Sequence, residues 1–167
     1  MLKSHIELEE KSKNNSPDLL DFVKNNELTL SYEGYYKDSI LHLAAKNDNY
    51  DLVIYLLGEL SKAAINKLNK NGITAFHRAM IDASLKTFKL FLDNDKVDHK
   101  KVKKDQNTPF ESLNMSFEIP RDYEEKFELY TRKYPTDRLD DIFVSSSGTK
   151  AKYAYYYIFD TNREKII

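Results

Sequence analysis

Ser39-Ile40-Leu41-His42-Leu43-Ala44-Ala45 is answered 35 residues later by Thr74-Ala75-Phe76-His77-Arg78-Ala79-Met80. Both carry a hydroxyl residue, an apolar pair, a histidine and an alanine in matching places. Thr108-Pro109-Phe110-Glu111-Ser112-Leu113 keeps the phase, with Phe110 lying 34 residues after Phe76. Self-similarity at this period is the signature of a stacked architecture, in which one supersecondary unit recurs because it cannot bury its apolar side alone.

Each copy reads as two short antiparallel helices. In the first, Leu41, Ala44 and Ala45 follow helical spacing. After a turn at Asp48-Asn49, Leu52, Val53, Leu56 and Leu57 do the same. The second repeats the design with Phe76, Ala79 and Met80, then Phe88, Phe91 and Leu92. The alanines let neighbouring units approach closely, where a larger side chain would hold them apart. Upstream, Leu19, Leu20 and Val23 keep the register, Leu19 preceding Leu52 by 33 residues, and Ser16-Pro17-Asp18 has the make-up of a helix start with serine as cap. Downstream, Tyr123, Phe127, Tyr130 and Tyr134 form an apolar stripe after Pro120, suited to capping the stack.

The repeated segments, with Thr108-Pro109 spelling out the opening, resemble the ankyrin repeat, whose unit of about 33 residues carries a Thr-Pro-Leu-His-x-Ala stretch. The likeness is strong over residues 36–110 and rests on phase outside them. It implies an all-α, ankyrin-like helical repeat solenoid of about four repeats with a short C-terminal extension. The expected division is an ankyrin domain over 1–134 and a tyrosine-rich extension over 135–167 that caps the stack or binds a partner. Within the domain, complete repeats at 35–68 and 69–103 lie between degenerate ones at 1–34 and 104–134. Glu111 stands where the family has histidine and Asn114 where it has alanine, as suits a terminal unit. Charged residues dominate Ile6 to Lys13, which suits a terminal face turned to water.

Composition narrows the function. Lys+Arg 26 against Asp+Glu 27 leaves a formal charge of -1, too little to draw the chain to nucleic acid or an anionic membrane. With no cysteine there is no disulfide framework or thiolate metal site, and no apolar run is long enough to span a bilayer. A reducing, cytoplasmic setting is expected. Lysine exceeds arginine, and asparagine and tyrosine abound, as codons rich in A and T encourage. By resemblance to ankyrin proteins of intracellular bacteria and poxviruses, the alternative is a host-directed effector or adaptor, delivered into a host cell and bridging two partners, one of them a host protein.

Catalytic and metal chemistry find little support. With four glycines, at 34, 58, 72 and 148, neither a phosphate loop nor a dinucleotide turn can be written. Asp93-Asn94-Asp95 opens like a calcium loop, but Asp98 and Lys104 stand where glycine and an acidic residue belong. No cofactor, no metal and no catalytic residue is assigned. His42 and His77 occupy matching repeat positions, and the resemblance gives them hydrogen bonds to the backbone of connecting loops. Lys96, His99, Lys100, Lys101, Lys103 and Lys104 crowd one inter-repeat segment, read first as a solvated loop and second as a dock for an acidic protein.

What remains is binding to another protein. The resemblance places Tyr35, Tyr36, Lys37, Lys70, Asn71 and Ile73 on projecting fingers and Leu43, Lys46, Arg78 and Ile81 on inner helices. Partners of the family usually engage these positions. In the extension, Ser145-Ser146-Ser147-Gly148 reads as a link, and Tyr153 to Phe159 suits a strand or a helix equally.

Overall fold

The computed structural model describes residues 2–99 and 122–134, which are helical with no strand among them. Three helix pairs follow one another: α1 (Leu2–Lys13) with α2 (Leu19–Asn25), α4 (Ile40–Lys46) with α5 (Tyr50–Glu59), and α7 (Ala75–Ile81) with α8 (Leu85–Leu92). Single turns, α3 (Leu28–Ser31) and α6 (Lys62–Ile65), fill the connections between pairs, and α9 (Tyr123–Lys133) closes the described chain. Helix α4 packs between α1 and α7 in an inner row. Helix α5 packs between α2 and α8 in an outer row that α9 extends.

The inner helices start where the repeated hydroxyl residue predicts. Ser39 and Thr74 are extended, with ψ of 165° and 168°, and the Thr74 hydroxyl accepts the backbone N–H of His77 at 3.3 Å. Such a cap meets one of the donors that a helix start leaves open. The residues that follow enter one continuous core. Leu41, Ala44, Ala45, Val53 and Leu56 are wholly enclosed, as are Ala79, Met80, Phe88 and Phe91. The Phe76 ring stacks on Phe88 and Phe91 at 6.0 and 6.2 Å between centroids.

The first pair shows how the apolar stack meets water. By repeat position Leu8 matches Leu41 and is buried, while Glu7 and Lys11 match Ile40 and Ala44. Lys11 pairs with Asp18 at 2.7 Å and lies 3.9 Å from Glu7, so the face that is apolar on α4 is an ion-pair surface on α1. The same network corrects the expected start of α2. Its first residue is Leu19, and the Ser16 hydroxyl donates to the Asp18 carboxylate at 2.7 Å instead of capping the helix. A carboxylate already drawn toward Lys11 is the stronger acceptor nearby, and both contacts hold the Asp18 carboxyl below its usual range, the Lys11 contact most.

Lysine ammonium groups close helix ends from one unit to the next. Lys96 Nζ donates to the carbonyls of Leu57 and Gly58 in the last turn of α5 and of Leu60 just past it, at 3.0 to 3.1 Å. Lys126, fully buried on α9, donates to Ala79 and Met80 at the end of α7 and to Ala83 just past it. Lys133 donates to Leu92 at the end of α8. Carbonyls at a helix C-terminus lack intrahelical partners and carry partial negative charge, so each ammonium meets an existing need.

Candidate functional site

Two tight turns project from the connections, built alike. In the first, Gly34 N–H donates to the Asp38 carbonyl and Lys37 N–H to the Gly34 carbonyl, both at 2.9 Å. In the second, Asn69 N–H donates to the Ile73 carbonyl at 2.9 Å and Gly72 N–H to the Asn69 carbonyl at 3.0 Å. The matching residues Lys37 and Gly72 have φ of 58° and 71°. Glycine takes that left-handed conformation freely, whereas lysine adopts it against its Cβ.

The turns are joined edge to edge. Lys70 N–H donates to the Tyr36 carbonyl at 2.7 Å, and the Asn69 amide donates to Asp38 Oδ1 at 2.5 Å. The Asn69 side-chain oxygen accepts from Asn71 N–H and Ile73 N–H at 2.9 and 3.1 Å, so one buried side chain organises its own turn and ties it to the previous one. The sequence reading missed Asn69. Its signal was the asparagine three residues before a glycine, a side chain fit to bond its own turn.

Of the ten candidate residues, five gather on the joined turns. Tyr35 is 88% exposed and Tyr36 46%, their rings edge to face at 4.8 Å, with Lys37, Lys70 and Asn71 exposed beside them. Leu43, Lys46, Arg78 and Ile81 form a second group at paired positions on α4 and α7. Lys46 is exposed, while Leu43, Arg78 and Ile81 are half-buried. Arg78 faces its own helix end, 3.4 Å from Asp82. Ile73 is also half-buried, and its backbone is occupied at both ends, the N–H on Asn69 and the carbonyl on His42.

The histidines act within the fold. His42 Nε2–H donates to the Ile73 carbonyl of the next finger at 2.9 Å, while Nδ1 receives the Ser39 N–H at 3.2 Å. Nδ1 must therefore be the unprotonated nitrogen, and burial pushes the His42 pKa below its ordinary value. His77 Nδ1 receives the Thr74 N–H in the same way at 3.0 Å. In the first pair Glu9 holds the matching position and accepts the Tyr32 hydroxyl at 2.8 Å. Burial, and then the bond to Glu9, raise the Tyr32 pKa.

The basic segment divides. Lys96, expected in a solvated loop, instead closes α5, because three unmet carbonyls lie within reach of its stem. His99 stacks on Tyr134 at 3.6 Å between centroids. Lys100, Lys101, Lys103 and Lys104, the third motif copy and the extension from 135 lie outside the described residues. Of the aromatic stripe, Tyr130 is buried and Tyr134 packs against the core. Among the described residues no group of three or more acidic or histidine side chains could hold a metal ion, and no helix is long and apolar enough to cross a membrane.

Stacked helix pairs with braced, projecting turns define a helical-repeat binding scaffold. The family described as Ankyrin repeats (3 copies) matches residues 10–111, and the chain belongs to the ankyrin repeat family. Comparison with curated proteins finds no match. Among solved structures, a chain in the crystal structure of the yeast ribosomal protein Rps3 in complex with its chaperone Yar1 is similar, with a TM-score of 0.60 and 24% identity. The match covers 87% of this chain and 97% of that one. At this identity the likeness is one of fold.

Proposed function

We propose that this protein is a non-catalytic protein–protein interaction scaffold that grips its partner with the joined fingertips and the inner-helix side of α4 and α7. The observation that carries the reading is Tyr35, 88% exposed on a turn braced by backbone bonds at both ends. A ring this exposed buries little area in the fold. On a rigid turn it offers a large contact area with little entropy left to lose on association. The family and the similar structure, which holds a ribosomal protein with its chaperone, support a protein as the class of partner. The division into repeats at 1–34, 35–68, 69–103 and 104–134, with an extension from 135, belongs to the same proposal. So does the host-directed form, an adaptor whose extension holds a second partner, which the lysine-, asparagine- and tyrosine-rich composition favours.

The test is capture from a eukaryotic and an AT-rich bacterial lysate, comparing wild type with a Tyr35→Ala, Tyr36→Ala variant of equal melting temperature. A partner held by wild type and lost by the variant is the expected result. A partner held equally by both removes the fingertips from the function. A host-directed protein captures its partner from the eukaryotic lysate alone.

A further inference from the structure

We propose that the partner presents an acidic segment carrying an apolar side chain, whose carboxylates engage Lys37 and Lys70 while the apolar group rests on the Tyr35–Tyr36 pair. This rests on the fingertips being the binding surface and names what they bind. Cations outnumber anions on the two turns, with Lys37, Lys67 and Lys70 against Glu33 and Asp38. Asp38 accepts the Asn69 amide, and Glu33 lies 3.8 Å from the Lys67 ammonium. Among the described residues the ammonium groups of Lys37 and Lys70 have neither an acceptor nor an ion-pair partner. Two unanswered cations beside two exposed rings remain, and complementarity calls for anionic groups flanking an apolar one.

The backbone supplies an independent argument. At φ 58°, Lys37 occupies the position that the next finger gives to Gly72 at φ 71°. Glycine would form the same turn with less strain, so the backbone does not require a lysine there. The bond from Lys70 N–H to the Tyr36 carbonyl brings the second lysine alongside, so both stems leave adjoining backbone.

The test is a random-peptide library displayed on phage and selected against the full chain. The selected peptides are expected to be enriched in aspartate and glutamate next to an apolar residue. Their binding should weaken about tenfold or more in a Lys37→Gln, Lys70→Gln variant, recover in Lys37→Arg, Lys70→Arg, and fall with added salt. Both lysines are exposed, so melting temperatures should be unchanged. Peptides without acidic enrichment that bind the glutamine variant fully, yet are lost in Tyr35→Ala, Tyr36→Ala, overturn the acidic partner and leave the fingertips as the binding surface. Peptides indifferent to both pairs of substitutions overturn both.

Discussion

His42 uses both ring nitrogens inside the fold, and this makes stability depend on pH in a defined direction. Burial lowers its pKa below the ordinary 6.5, so the unfolded chain takes up the proton more readily than the folded one. The contribution of the neutral ring is complete above about pH 6.5 and declines as the pH falls through the folded value. Melting temperature followed from neutral to acidic pH should therefore drop less steeply in His42→Gln than in wild type. Parallel curves would show that the ring does not titrate with folding. Thr87 is a second case, buried on α8 with its hydroxyl oxygen lacking a partner among the described residues. Thr87→Val keeps the shape and removes the unmet group, and should raise unfolding free energy by about 1 kcal/mol in a denaturant titration. Single residues were unevenly legible. The family resemblance implied a structural role for His42, but nothing in the sequence separates a lysine in water from one that closes a helix. Lys96 was misread because its targets are backbone carbonyls, which every residue has.

At the scale of the element, the inner helices were the most legible part because their apolar positions recur with both helical spacing and repeat phase. Ala44 and Ala79 are fully enclosed where α4 and α7 meet their neighbours. Ala44→Leu or Ala79→Leu should cost about 1 to 3 kcal/mol by overpacking, read from denaturant midpoints. Unchanged midpoints for both would mean that the stack tolerates bulk there. Helix α1 left a fainter trace, since the side that is apolar on α4 carries Glu7 and Lys11 here. The turns α3 and α6 were not read at all, being 4 residues each, too short to show a period. The start of α2 slipped because a local ion pair competed for the residue that composition marks as a cap. Of the candidate surface, the resemblance implied that the fingertips are turns, whereas the bond that joins them links main-chain atoms and leaves no mark in the sequence.

At the scale of the molecule, the described helix pairs form a chain of neighbour contacts. Lys126 is the clearest such link, its ammonium shared among three carbonyls at and just past the end of α7. Lys126→Met preserves length but removes the donors, and should lower stability by about 1 to 3 kcal/mol. Amide exchange should accelerate most in α7 and α9, and acceleration spread evenly over the described helices would count against a local link. The direction of these contacts also bears on how the protein is made. The donors Lys96, Lys126 and Lys133 lie 36 to 47 residues after the carbonyls they close, and His42 awaits a carbonyl 31 residues ahead. A chain emerging from the ribosome thus exposes the ends of α5, α7 and α8 before their closing lysines exist. Synthesis runs from the N-terminus while completion runs one unit behind it, so a pause in translation between α5 and Lys96 leaves a finished helix with an unfinished end.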